Sequence, residues 1–141
     1  MNYMSKALAS ELLKASEICK HRVEEEGGLI LNRDDEFVFV PVQNIYKGTP
    51  TAAGLYETEQ SDFTGKVFPL LKEGYKFYAS FHTHPSFSPN PSGLDLNVLF
   101  QGFKHNYIYA PRPETFSYTT WGVEDSQFTQ YFNRNTLYAV Q

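Results

Sequence analysis

A single cysteine among 141 residues, Cys19, leaves no partner for an internal disulfide and fits a reducing compartment. It falls among helix-spaced apolar positions, the setting of a buried packing residue rather than of a nucleophile. Long apolar runs are also missing. The opening stretch MNYMSKALASELLKASEICK is interrupted by Glu11, Lys14 and Glu17, which excludes a signal peptide or membrane span there and points to a cytoplasmic protein with no membrane partner. There is no basic block either. Lys and Arg number 12 against 16 Asp and Glu, the net charge is -4, and the lysines are scattered, so nucleic acid is not the expected partner. Internal repeats and low-complexity tracts are absent as well.

What is present is a globular composition, 41% hydrophobic and 20% charged, in a chain of the length of one domain. Twelve phenylalanines and ten tyrosines suggest a core that contains a sheet. Leu8, Leu12, Ala15, Cys19 and Val23 recur at intervals of three and four, which predicts an amphipathic helix over 5–24 stopped by Gly27 and Gly28. Leu29–Leu31 and Phe37–Val42 read as the strands of a covered hairpin around the turn NRDDE, and Pro41 marks an edge or a strand end. Residues 43–56 read as a long loop.

Ser61 is placed to cap a helix to about Glu73, with Phe63, Val67, Leu70 and Leu71 inward, a kink at Pro69 and a stop at Gly74. Next, Tyr75 to His84 alternates as Tyr75, Phe77, Ala79, Phe81 against Lys76, Tyr78, Ser80, His82, His84. LDLNVLFQ reads as a helix closed by Gly102, and 106–110 and 116–121 read as strands joined by PRPE. The expected domain core spans about 4–121, and 122–141 is a polar C-terminal tail without legible periodicity. The order is that of an α+β protein, a mixed sheet flanked by helices.

The chemistry concentrates in FHTHPSFSPNPSGLD, Phe81 to Asp95. On a strand, His82 and His84 project from one face with Cα atoms about 7 Å apart, close enough to bind one ion. A catalytic zinc takes three protein ligands and leaves a fourth position for water. Asp95, at the start of the next helix, is the candidate third ligand. Ser92 and Asp95 also form an S-x-x-D capping box, and an isolated H-x-H is ordinary. The combined pattern H-x-H-x7-S-x2-D is much rarer, expected by chance in roughly one chain in several thousand of this length.

This motif resembles the signature of the JAMM (MPN+/JAB) metallopeptidases, in particular small bacterial or phage-type members. The resemblance runs from about Met4 to Trp121, and outside the motifs it is generic. It implies the JAB/MPN fold, a cytidine-deaminase-like α/β/α sandwich, and a Zn²⁺ cofactor on His82, His84 and Asp95. The family's glutamate before a glycine and an apolar strand falls in EEEGGLIL. It selects Glu25 as general base, with Glu24 and Glu26 as the competing registers.

Ser92 would stabilise the oxyanion. The implied activity is hydrolysis of an amide bond in a protein or peptide, such as one that carries a ubiquitin-like protein. The alternative is a catalytically silent module of the same fold that binds partners. Among other residues, Phe87 and Asn90 are candidates for substrate contact or for packing back on the body, Ser80 and Thr83 for structural roles, Trp121 for the core and His105 for the surface. His21 is assigned no role.

Overall fold

Ser5 starts the first helix: its side chain accepts the Leu8 N–H at 3.1 Å, as an N-cap should. Helix α1 (Lys6–Cys19) buries Leu8, Ala9, Leu12, Ala15 and Cys19, the face its periodicity predicts. The structure, a computed structural model, describes residues 4–20, 27–42, 63–85, 88–91, 103–121 and 127–141. The expected last turn of α1 beyond Lys20 and the helix 94–101 lie outside them.

Strands β1 (Gly27–Arg33) and β2 (Glu36–Pro41) form the expected antiparallel hairpin. Its turn holds Asp34 at a left-handed φ of 52°, and Asn32 Nδ2 donates to the carbonyls of Asp34 and Glu36 at 2.9 and 3.0 Å. β2 is a sheet edge, where Pro41 is tolerated. Glu11 of α1 covers part of that edge by accepting the Phe39 N–H at 2.8 Å.

The helix expected over 61–73 is instead two short pieces, a π-helical turn at Phe63–Val67 and the α-helix α2 (Phe68–Lys72). Pro69 has no N–H to extend an α-helical ladder back to Gly65, so the wider turn ends there. Beyond α2, Gly74 at φ +95° lets the chain reverse: its N–H reaches the Leu71 carbonyl at 3.1 Å and that of Tyr75 reaches Leu70 at 3.1 Å.

Four further strands follow in two blocks: β3 (Lys76–Thr83), then β4 (His105–Pro111), β5 (Glu114–Trp121) and β6 (Gln127–Phe132). A helix, α3 (Arg134–Val140), ends the chain. The sheet order is β2-β1-β3-β4-β5-β6. β2, β1 and β3 pair antiparallel, as do β4, β5 and β6, and the two units meet along one parallel seam, β3 against β4. This is the mixed sheet of an α+β protein.

Within the polar tail 122–141, where no periodicity is legible, residues 127–140 supply an edge strand and a helix. Asn133 caps α3 by accepting the Thr136 N–H at 3.2 Å. Only Leu137 of α3 is fully buried, so no stripe is visible in the sequence.

Strict alternation along β3 is also corrected. Between Ile30 and Leu31 the register shifts, so that Ile30 faces Ala79 while Leu31 faces Phe77, and Tyr78 becomes the extra residue of a bulge. Phe77 thereby turns to the face of His82 and packs edge-on against Phe103, centroids 6.2 Å apart. Tyr78 turns to the α1 face and meets Phe37 edge-on at 4.9 Å.

The α1 face is the main core, with Leu12, Ile30, Phe81, Tyr109 and Phe116 almost wholly shielded from solvent. Each such side chain contributes about 1.5–3 kcal/mol by burial. A smaller cluster of Leu29, Leu31, Val40, Val42 and Val67 lies on the other face, beneath α2.

Candidate metal centre

The parallel seam fixes where β3 delivers its histidines. His82 pairs across it with Ile108, Thr83 with Tyr109, and the His84 N–H continues the ladder to the Tyr109 carbonyl at 3.0 Å. Both strands end here, and the carboxyl ends of parallel strands are where open sheets characteristically bind ligands. His82 is fully buried and His84 is 8% exposed. Their rings lie on one face with centroids 5.0 Å apart, inclined at 67°.

The chemistry of His84 follows from one contact. Its Nδ1 lies 3.1 Å from the Ser88 carbonyl oxygen. A carbonyl only accepts, so Nδ1 carries the proton, and in the neutral ring the lone pair is on Nε2. A histidine that donates one ring N–H to a carbonyl and ligates through the other nitrogen is a common arrangement at metal sites. Two imidazoles on one face are donors of a kind that Zn²⁺ accepts.

Close backbone approach brings β1 to the same place. Gly27 pairs with His82, and a Cβ on Gly27 would stand 2.2 Å from the Phe81 carbonyl oxygen and 2.8 Å from the His82 Cα. Only glycine fits there without moving β1 off β3. Strand β1 therefore begins beside His82. Glu24, Glu25, Glu26, Ser92 and Asp95 lie outside the described residues, as does Phe87. Among the described residues no three His, Cys, Asp or Glu side chains gather into a metal cluster, and the structure brings together His82 and His84 of the expected set.

Around the pair, the histidine face is polar along the seam and buried nonetheless. Ser80 donates to Asn106 Oδ1 at 2.6 Å, and Asn106 Nδ2 donates to the carbonyls of Phe103 and Thr119 at 2.9 and 3.4 Å. Such bonds offset the cost of burying polar groups. Ser117, fully buried, donates to the Pro89 carbonyl at 2.6 Å, and the Tyr131 hydroxyl donates to Asn90 Oδ1. Asn90, a candidate for substrate contact, is thus tied back onto β6. Neither Ser117 nor Tyr131 was expected from sequence; the available signal was the alternation of β5, which sets Ser117 and Thr119 opposite Phe116 and Tyr118.

His105 is not the surface residue expected. It is half-buried between the rings of Tyr78 and Tyr118, stacked at centroid distances of 4.5 and 5.8 Å. Its Nδ1 bonds the Tyr118 hydroxyl at 2.6 Å. Burial, and secondarily the Lys104 charge, hold its pKa below the ordinary value, while burial pushes that of Tyr118 up to about 12. The side chain of Trp121 lies outside the described residues.

A second constellation occupies the α1 face. Arg134 of α3 makes a two-pronged contact with Glu114 of β5, Nε to Oε1 and Nη2 to Oε2, both 2.8 Å. It also reaches Ser16 at 2.9 Å and Glu17 at 3.2 Å on α1, and the Tyr109 hydroxyl donates to Glu114 at 2.7 Å. The guanidinium, followed by the tyrosine, holds the Glu114 carboxyl below the usual range, and Arg134 is pushed up chiefly by Glu114. Burial first and the carboxylate second raise Tyr109. This group ties α1, β4, β5 and α3 together by contacts far apart in sequence.

Fold and site thus define a mixed-sheet α+β domain with a buried histidine pair at the ends of its parallel strands. Residues 6–123 match the family of prokaryotic homologs of the JAB domain, and the chain belongs to that family. A Desulfitobacterium hafniense protein solved in solution is similar at 18% identity, with a TM-score of 0.57, over 89% of this chain and 86% of that one. A JAB1/MPN domain protein from Archaeoglobus fulgidus aligns at 21% identity over 93% of this chain and 88% of its own, with a TM-score of 0.42. The first likeness supports the fold. No curated protein matches the chain.

Proposed function

We propose that this JAB-family chain is a zinc-dependent amide hydrolase, a peptidase or isopeptidase, with His82, His84 and Asp95 as metal ligands. The observation that carries the reading is the buried histidine pair, in which the bond from His84 Nδ1 to the Ser88 carbonyl leaves Nε2 as the ligating nitrogen. Zn²⁺ held there would supply a Lewis acid and a water whose pKa is lowered toward neutrality. Glu25 would take the proton of the attacking water and deliver it to the departing amide nitrogen. Ser92 would donate a hydrogen bond to the substrate oxygen as it gains negative charge. The substrate class, a protein or peptide that includes conjugates of ubiquitin-like proteins, comes from the motif's likeness to JAMM peptidases. No helix among the described residues is long and apolar enough to cross a membrane.

Metal content and turnover test the reading together. The purified protein is expected to bind about one zinc per chain, by the ligand count of such sites. His84→Ala should lose the metal, and Glu25→Gln should keep it while abolishing cleavage of a peptide or isopeptide substrate. If Glu26→Gln is the inactive variant instead, the base is one position later. Zinc well below stoichiometry in the wild type, with no further loss on His84→Ala, would remove the enzyme and leave a silent partner-binding module.

A further inference from the structure

The loop after His84 contains Pro85, Pro89 and Pro91, none of which offers an N–H, so it has few backbone donors with which to fix itself. Donors come instead from the far half of the sheet. His82, Ile108, Ser117 and Tyr131 form one row of register partners across β3, β4, β5 and β6, all on the histidine face. From this row Ser117 Oγ donates to the Pro89 carbonyl and the Tyr131 hydroxyl to Asn90 Oδ1. Pro89 directly follows Ser88, whose carbonyl receives His84 Nδ1–H. Ser117 is wholly buried, so water cannot replace it without opening the sheet, whereas Tyr131 is 55% exposed and acts from the rim.

We propose that Ser117 and Tyr131 are positioning residues for His84: by holding Pro89 and Asn90 they place the Ser88 carbonyl that selects the Nδ1–H tautomer and aims Nε2. The expected effect on metal binding rests on the zinc reading above, whereas the effect on the tautomer does not. Loss of an outer partner of this kind weakens metal affinity by about 10–100-fold.

Two readouts test this. In metal-free protein at a pH where His84 is neutral, ring ¹⁵N shifts report its tautomer; in metal-loaded protein, competition with a chromophoric chelator reports zinc affinity. Wild type should show the Nδ1–H form. Ser117→Ala should populate the Nε2–H form and lose about 10–100-fold in zinc affinity, and Ser117→Thr, which keeps a hydroxyl, should restore both. Tyr131→Phe, at an exposed position that does not threaten folding, should lose about 2–10-fold, the worth of one net hydrogen bond. If Ser117→Ala and Tyr131→Phe both keep the wild-type tautomer and affinity, the proposal is overturned. A wild type that binds no zinc but whose tautomer changes in Ser117→Ala would uphold the positioning and overturn the metal reading.

Discussion

Along the β3–β4 seam the two faces of the sheet bury residues of different character. On the α1 face the buried side chains are aromatic and aliphatic, and rings pair directly: Phe116 with Phe132 at 5.0 Å, Phe39 with Phe81 at 5.4 Å. On the histidine face, along the seam, Ser80, His82, Asn106, Ser117 and Thr119 are buried as deeply. Burying polar groups contributes little net stability even when they are bonded. The α1 core and the smaller Leu29–Val67 cluster therefore hold the fold together, and the polar strip along the seam uses that support to keep its groups in fixed places.

The largest test of this division removes a core ring. Phe81→Ala should destabilise the protein by about 3–5 kcal/mol, read from denaturant unfolding. His82→Ala, the next residue on the same strand but on the other face, should cost less in metal-free protein, yet abolish any zinc-dependent rise in Tm. Equal losses in metal-free protein would break the contrast.

Gly27→Ala should cost about 1–3 kcal/mol through overpacking against β3, with a shift in the His82 ring resonances. The control is Gly65→Ala, where no atom lies within 4 Å of an added Cβ. That change should be neutral or stabilise by up to about 1 kcal/mol.

The ion network gives a smaller effect with a pH signature. The folded pKa of Glu114 lies below its ordinary 4.5, so its contribution is present above that value and is lost as pH falls through the folded pKa. Glu114→Gln should lower stability at neutral pH by about 1–2 kcal/mol, after allowance for partial exposure. The gap to wild type should close in acid; a gap independent of pH would assign the loss to packing.

The smallest effect is that of His105. Its folded pKa is held below the ordinary 6.5, so the unfolded chain takes up the proton first as pH falls. Stability should decline as pH drops from 6.5 toward the folded value and be unaffected above it. His105→Phe, which keeps a ring between Tyr78 and Tyr118, should remove that decline. Unfolding titrations of the two proteins between neutral and mildly acid pH compare the slopes.

What could be read from the sequence was what local periodicity controls. The stripe of α1, the β1–β2 hairpin, the Gly74 stop and the shared face of His82 and His84 all follow from spacings within one element. The bulge at Tyr78 does not, because it is decided by which aromatic finds a partner across strands: Phe77 with Phe103, Tyr78 with Phe37 and His105. Strand β6 and helix α3 were missed because an edge strand and a helix with one buried leucine need little apolar pattern, although Asn133 before Thr136 was a legible cap. Of the candidate site, the H-x-H pair was visible from spacing. Ser117 and Tyr131 were not, since their partners lie 28 and 41 residues away in the chain.

The parallel seam has a consequence for how the molecule assembles. The β1–β2 hairpin and the β4–β5–β6 unit close through neighbouring strands, whereas β1 reaches β3 across residues 34–75, and β3 and β4 meet only when residues 84–104 bridge from the end of one strand to the start of the next. Loop-closure entropy is thus set against this pairing more than against any hairpin in the sheet. His82 lies on the seam and His84 begins the crossing, so the pair and the β5–β6 residues that steady its loop come into register only after the two units have joined. A ligand bound there would discriminate the joined state from the separated one, and by mass action would act as a clasp on a contact that no hairpin supplies.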